Sequence, residues 1–152
     1  MSISSTSSSA DDTVRTEELA RGLVEAFESG DLERLLSFYP DGGGFTYIDM
    51  WEPDTVLRTH EELAEWMKGF GEAFEMSSGG LEVMSMTTQG NRSVVELRIK
   101  GRYIGEGAPD GGLEMEILSC VVYGRFEDGL VREERVWAEP VEAQIARALG
   151  AQ

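Results

Sequence analysis

The first half of the chain carries apolar residues at helical spacing. They first recur at positions i, i+4, i+7 and i+8, on one face of a helix that opens at Thr16 and ends at Ser29-Gly30. These residues are Leu19, Leu23, Ala26 and Phe27. Asp31 is placed to cap a second helix, and Thr59 to cap a third, in which Glu62 completes a capping box. The pattern therefore predicts three helices in the N-terminal half.

The second half is rich in β-branched and aromatic residues, in runs that glycine-containing turns separate. Residues 76–80 read as a loop, and Asp128-Gly129 is typical of a two-residue hairpin turn. Predicted strands cover residues 45–51, 81–87, 93–104, 113–123 and 130–138, and a closing helix covers 141–149. Helices followed by antiparallel strands predict the α+β class, with the helices packed on one face of a curved sheet. Gly101 and Gly124 are placed to bend that sheet.

Composition narrows the classes of function. The chain has 152 residues, and we expect one domain over residues 14–152 after a disordered, Ser/Thr-rich tail over residues 1–13. A formal net charge of −16 without a basic stripe argues against binding to nucleic acid or to an anionic membrane. Cys120 is the only cysteine, which is typical of a reducing compartment, and we expect a cytoplasmic protein. One histidine and one cysteine give no metal-ligand spacing, so no metal site is predicted.

Four short motifs resemble one known superfamily. The segment 27–32 (FESGDL) is similar to its aromatic-x-x-Gly-Asp-Leu junction between helices 1 and 2. Segments 38–41, 58–63 and 126–129 are similar to its approach to the first strand, its third-helix start and its last hairpin. Together they resemble the nuclear transport factor 2-like superfamily, in its SnoaL-like, polyketide cyclase-like branch. The resemblance implies a cone-shaped fold around one pocket. Three N-terminal helices would pack on a strongly curved antiparallel sheet, with a short C-terminal helix.

The resemblance also implies where chemistry would lie. The ketosteroid isomerases of this superfamily place an aspartate base on the first strand, at the position of Asp49. Their two oxyanion donors would fall at Leu23 and Val122, neither of which can donate a hydrogen bond, so the isomerase set is incomplete. The limonene-epoxide hydrolases use an Asp-Arg-Asp set whose last aspartate falls near Val136. That set is also absent.

The cyclases of the branch need one acid/base carboxylate in an apolar pocket and no cofactor. On the last strand the resemblance puts Glu134 where the family often has a histidine, and Glu139 where it has an aspartate. Strand parity in related folds would point Glu134 and Glu116 into one cavity with Asp49, where desolvation favours acid/base work. The same parity gives apolar walls at Leu118 and Val136. The alternative is that Glu116 and Glu134 are rim or surface residues, and that Asp49 caps a strand end.

Other side chains complete two competing hypotheses. His60 is either a proton shuttle at the pocket mouth or an exposed neighbour of a helix cap. The aromatic residues expected to line the cavity are Tyr47, Trp51, Trp66 and Tyr103. A convex sheet face exposing Val121, Tyr123 and Trp137 would be covered by a second copy in a homodimer.

The first hypothesis is a cofactor-independent acid/base enzyme acting on a small, mostly apolar ligand. The second is a non-catalytic small-molecule-binding or dimerisation module of the same fold.

Overall fold

The structure is a computed structural model and describes residues 2–49 and 55–150. Within these ranges the helices and strands follow one another along the chain with short connections. They are α1 (Ser2–Ser29), α2 (Leu32–Leu36), β1 (Thr46–Asp49), β2 (Thr55–Leu57), α3 (His60–Ala73), β3 (Phe74–Gln89), β4 (Arg92–Tyr103), β5 (Leu113–Glu127), β6 (Leu130–Ala138) and α4 (Val141–Gly150). The α+β class is confirmed. No described helix is long and apolar enough to cross a membrane.

All six described strands form one curved, unclosed sheet in the order β2-β1-β6-β5-β4-β3. Neighbouring strands are antiparallel except for β1 and β6, which pair in parallel. The predicted antiparallel sheet therefore contains one parallel pair, which the sequence did not reveal. A parallel pair needs a long crossover connection, and the chain between β1 and β6 supplies it. This pair brings the early strand β1 beside the last strand.

The predicted helix caps are confirmed. The Asp31 side chain accepts a hydrogen bond from the backbone N–H of Arg34 at 3.0 Å. Thr59 Oγ1 accepts one from the N–H of Glu62 at 3.1 Å, and Glu62 Oε1 in turn accepts one from the N–H of Arg58 at 3.0 Å. These bonds satisfy N–H groups that have no partner within the first turn of a helix. They fix where α2 and α3 begin.

Two boundaries differ from the prediction. Helix α1 begins at Ser2, not Thr16, so residues 2–13 are helical where a disordered tail was expected. Once a helix has been nucleated, each added residue gains a backbone hydrogen bond, so polar residues can extend an already packed helix. Strand β3 begins at Phe74 and runs through the predicted loop 76–80, whose extra residues a register shift against β4 absorbs.

Glycines lie where the sheet bends. A side chain at Gly101 would place its Cβ 2.3 Å from the Glu75 carbonyl oxygen, so only glycine allows β3 and β4 to approach this closely. Gly124 lies at a register shift between β5 and β6, where Tyr123 and Arg125 oppose consecutive residues of β6. Such a bulge inserts one residue and reverses the inside–outside alternation beyond it. Counting alternate residues through Gly124 therefore gives the wrong core-facing side of β5.

In the part of β5 before Gly124 the odd-numbered residues face the core. The sequence had predicted that the even-numbered residues do so. Val121 and Tyr123 are buried, whereas Leu118 is 56% exposed on the outer face. Across the sheet, Val121 pairs with Val136 and Tyr123 with Glu134. On β6 the predicted parity agrees with the structure. The concave face of the sheet and helices α1–α3 enclose the core.

Candidate active site

A small cavity of about 70 Å³ lies between helices α1–α3 and the concave face of the sheet. Its walls are mostly aliphatic and aromatic. The polar side chains that line it are the carboxyl groups of Asp49 and Glu134, the phenols of Tyr39, Tyr47 and Tyr123, and the hydroxyl of Ser119. Among the lining residues that the structure describes there is no lysine, arginine or histidine. The lining therefore offers acids and phenols to a ligand, without a cation to attract an anion.

The parallel pairing of β1 and β6 places the two carboxyl groups. Tyr47 lies opposite Glu134 in the register, and Asp49 lies opposite Val136. Because side chains two residues apart on a strand share a face, Tyr47 and Asp49 both point toward the core. Asp49 has no exposed surface and Glu134 is 4% exposed. Two carboxyl groups from distant parts of the sequence thus share one dry site.

Each carboxyl group accepts a hydrogen bond from a phenol. The Tyr47 hydroxyl donates to Asp49 Oδ2 at 2.7 Å, and the Tyr39 hydroxyl donates to Glu134 Oε1 at 2.5 Å. The pKa of both phenols is raised well above its ordinary value, first by burial and then by the charge of the partner carboxylate. Tyr39 and Tyr47 therefore remain protonated donors throughout the physiological range.

Backbone contacts hold Tyr39 against β6. The N–H of Val131 donates to the carbonyl of Phe38 at 2.7 Å, and Nε2 of His60 donates to the carbonyl of Tyr39 at 2.8 Å. The Tyr39 ring also packs on Phe45, with ring centroids 5.1 Å apart. The end of α2 is thus tied both to the last strand and to the start of α3. These contacts orient the phenol toward Glu134.

The pKa of Glu134 is raised to about 8. Burial is the largest cause and the negative charge of Asp49 adds to it, while the hydrogen bond from Tyr39 acts in the opposite direction. A carboxyl group with this pKa is mostly protonated at pH 7. Among the described residues its only hydrogen-bond partner is Tyr39, at Oε1. Oε2 can therefore carry a proton that is available to a ligand.

The structure brings together some of the predicted site residues. Asp49, Glu134, Tyr47, Trp66 and Val136 all line the cavity. The Trp66 ring lies 5.8 Å from that of Tyr47, which fits the prediction of an aromatic wall. Trp51 lies outside the described residues.

Five predicted positions lie elsewhere. Glu116 is on the outer face, where its carboxylate pairs with Arg98 Nε at 2.6 Å, and Leu118 is exposed beside it; the bulge at Gly124 explains both errors. Glu139 follows the end of β6 and pairs with Arg147 of α4.

Tyr103 is buried outside the cavity, and its hydroxyl donates to the Glu106 carbonyl at 2.7 Å. His60 does not line the cavity either, and its ring is held by the backbone of Tyr39 and lies 3.8 Å from Asp41. His60 therefore supports the position of a lining residue and has no direct access to a ligand in the cavity.

Sequence reasoning missed two lining phenols, Tyr39 and Tyr123. The sequence pattern gave Tyr39 no role in the site, and the parity error placed Tyr123 on the convex face. Tyr123 is buried, and burial followed by the charge of Glu134 raises the pKa of its phenol. An isolated tyrosine in an apolar run gives no signal of this role, because the signal lies in its distance from Glu134. Among the described residues no group of three or more potential metal-binding side chains is found.

Comparisons with known proteins agree with this architecture. A SnoaL-like protein from Shewanella putrefaciens CN-32, named as a candidate polyketide cyclase, is 15% identical with a TM-score of 0.74, covering 90% of this chain and 97% of that one. An NTF2-like protein from Burkholderia xenovorans LB400 is 20% identical with a TM-score of 0.68, covering 90% and 96%.

A protein of ketosteroid isomerase-like fold from Catenulispora acidiphila DSM 44928, in complex with trimethylamine, is 13% identical with a TM-score of 0.68, covering 86% and 92%. At these identities the likeness shows the fold alone. No curated protein matches the sequence significantly. The family model of the SnoaL-like domain matches residues 20–134, a range that holds α2, all of β1–β5 and both buried carboxyl groups. The chain therefore belongs to the SnoaL-like domain family.

Proposed function

We propose that this protein is a cofactor-independent acid/base enzyme that removes a proton from a carbon next to a carbonyl group in a small, mostly apolar substrate. The observation that carries the proposal is a pair of buried carboxyl groups, Asp49 and Glu134, in one apolar cavity, where burial and the charge of Asp49 raise the pKa of Glu134 to about 8. An acid and a base that differ in protonation at one pH are what such a reaction needs.

The two carboxyl groups have separate roles in the proposed reaction. The Asp49 carboxylate accepts the proton from the C–H bond, and the electron pair of that bond forms the carbon–carbon double bond of an enol. The carbonyl oxygen receives a hydrogen bond, and then the proton, from Glu134 Oε2. In the reverse sense the protons return, so exchange or isomerisation needs no other reactant. In a cyclisation the enol carbon would instead attack a second carbonyl of the same molecule.

The neighbouring phenols support this division of roles. Tyr39 occupies Glu134 Oε1 as a donor, which directs the proton of the carboxylic acid to Oε2. Tyr47 holds Oδ2 of Asp49. Both carboxyl groups are thereby held in place before a substrate arrives, which lowers the reorganisation needed in the reaction. The oxyanion donors that the sequence lacked at Leu23 and Val122 are thus replaced by an acid from β6.

The alternative is a non-catalytic small-molecule-binding module. The apolar walls and the modest volume of the cavity suit a small ligand whether or not it reacts. The structurally similar protein from Catenulispora acidiphila, which holds trimethylamine, favours this reading for the fold in general. Measuring binding and proton exchange on the same samples separates the two functions.

Hydrogen–deuterium exchange tests the proposal. The wild-type protein is incubated with 2-butanone in D₂O at pH 7, and loss of the proton signals next to the carbonyl is followed by NMR. We expect Asp49→Asn to reduce exchange to the uncatalysed rate, and Glu134→Gln to slow it by a factor on the order of 10². Glu116→Gln, which changes a carboxylate on the outer face of the same sheet, is the matched control and should exchange at the wild-type rate.

Two outcomes would contradict the enzyme proposal. Exchange by Asp49→Asn at the wild-type rate would show that Asp49 is not the base. Binding of 2-butanone without any exchange in the wild-type protein would leave the binding module as the better account. Melting temperatures of the variants that are no lower than that of the wild-type protein would show that a lost rate is not caused by a lost fold.

We also propose that the protein is a homodimer through the outer face of the sheet. Val121 and Tyr123 are buried in the core, so the prediction that the outer face exposes them is wrong. The outer face nevertheless exposes Leu118 at 56% and Trp137 at 43%, with Met84 beside them along the same groove. Large apolar side chains grouped in this way are typical of a surface that is covered by another protein chain.

A further inference from the structure

The cavity is too small to hold more than the reacting part of a substrate. Its volume of about 70 Å³ has room for roughly five water-sized groups, which is about the size of a short ketone. Ligand sites for larger organic molecules are several times bigger. If the substrate is longer, the rest of it must lie in a space that continues from the cavity.

One external groove adjoins the cavity. It lies between the α1–α2 junction and α3 and has a volume of about 430 Å³. Four residues line both the cavity and this groove. They are Phe27, Leu35, Met67 and Phe70. All four belong to helices α1–α3, and none belongs to the sheet.

Other residues that line this groove are also apolar. They include Phe74, Met76 and Leu32, which is 38% exposed. An exposed leucine beside a groove gains from contact with an apolar ligand. The charged residues of the lining, Glu28, Asp31 and Lys68, are all exposed to solvent.

A second groove lies on the other side of α3, and the observations favour it less. It shares only Trp66 and Phe70 with the cavity, and these rings are stacked with centroids 5.7 Å apart. Its lining also includes the acids Glu62 and Glu65. A stacked aromatic pair must separate before this groove can open to the cavity.

We propose that the groove lined by Phe27, Met67 and Gly71 binds the apolar tail of an extended substrate whose carbonyl head lies in the cavity. The proposal rests on the proposed function for the position of the head. The substrate class is then a ketone or ester with an unbranched or narrow apolar chain. Met67 would adopt another side-chain rotamer to let the chain pass, because it is unbranched and flexible, while Phe70 keeps its stacking on Trp66.

Helix α3 offers a matched pair of variants. Gly71 lines the proposed groove and Gly69 lines the other one, and neither lines the cavity. A Cβ at either position meets no atom within 4 Å. Leucine at Gly71 would therefore fill the proposed groove without displacing the protein, and leucine at Gly69 would fill the second groove. Both variants replace a helical glycine, so neither should melt below the wild-type protein.

Isothermal titration with methyl ketones from 2-butanone to 2-nonanone tests the proposal. In the wild-type protein each added methylene that enters the groove should tighten binding about fourfold. Gly71→Leu should bind 2-butanone as the wild-type protein does, but should bind 2-nonanone at least tenfold more weakly. Gly69→Leu should follow the wild-type protein along the whole series.

Three results would overturn the proposal. The first is a wild-type affinity that does not rise with chain length. The second is a Gly71→Leu variant whose affinities match those of the wild-type protein along the whole series. The third is a loss of affinity confined to Gly69→Leu. The measurement is independent of turnover. An affinity that depends on chain length, without proton exchange, would therefore support the groove and contradict the enzyme proposal. Proton exchange without such a dependence would support the enzyme and contradict the groove.

Discussion

Glu134→Gln should stabilise the folded protein at neutral and alkaline pH. In the unfolded chain this carboxyl group ionises with a pKa near 4.5, whereas in the folded protein its pKa is about 8. Between these values the folded state holds a proton that the unfolded state has lost. The free energy of unfolding therefore falls as the pH rises through this window, and the full stability is present only below the lower value.

The size of the effect follows from the gap between the two pKa values. A gap of about 3.5 units at ~1.36 kcal/mol per unit corresponds to roughly 5 kcal/mol between pH 4.5 and pH 8. No discount for solvent screening applies, because Glu134 is 4% exposed. Glutamine has nearly the same shape, stays neutral and can still accept the hydrogen bond from Tyr39. It removes the ionisation while it keeps the packing.

Urea denaturation of the wild-type protein, Glu134→Gln and the control Glu116→Gln at several pH values between 5 and 8.5 measures this directly. The wild-type protein and the control should lose stability together as the pH rises, and Glu134→Gln should lose clearly less. The free energies of Glu134→Gln and the wild-type protein should converge near pH 5. Parallel curves for all three proteins would show that Glu134 ionises normally, and the proposed division between acid and base would then have no support.

Two further predictions concern the surface and the N-terminus. Trp137→Arg should convert a dimer into a monomer in light scattering at micromolar concentration, while Leu149→Arg, at an exposed leucine of α4, should not; a wild-type monomer would exclude the dimer. A chain beginning at Thr13 should melt within about 2 °C of the full-length protein, since Thr13 Oγ1 still accepts the hydrogen bond from Gly90 N–H. A chain beginning at Val14 should lose about 1 kcal/mol of the free energy of unfolding, because it lacks this hydrogen bond. A fall in melting temperature of more than about 2 °C in the chain beginning at Thr13 would show that the residues before it pack on the domain.

Local signals in the sequence predicted the fold class well. Asp31 and Thr59 were identified as helix caps because capping depends on residues three positions apart. The face that β5 turns to the core could not be predicted, because the alternation of apolar and polar residues does not reveal where a bulge inserts an extra residue. Gly124 was recognised as a place for curvature, yet its effect on strand parity depends on the pairing with β6.

The candidate site was predicted in part for the same reason. Asp49 and Glu134 were found through their positions on strands in a family resemblance, whereas Tyr39 was not. The importance of Tyr39 depends on the approach of α2 to β6, which a hydrogen bond from Val131 to Phe38 secures. Contacts of this kind join segments about ninety residues apart, and no local pattern in the sequence reports them.

The parallel pairing of β1 with β6 also has a consequence for folding. Strands β2–β5 and helix α3 lie between the two partners along the chain, so this pairing closes the longest loop in the sheet. Contacts of high sequence separation are costly in entropy and tend to form late. Until β6 docks, the carboxylate of Asp49 stays hydrated and Glu134 titrates as an ordinary surface acid. The cavity would then acquire its chemistry in a single late step, and partially folded chains would expose neither an unpaired buried charge nor a reactive site.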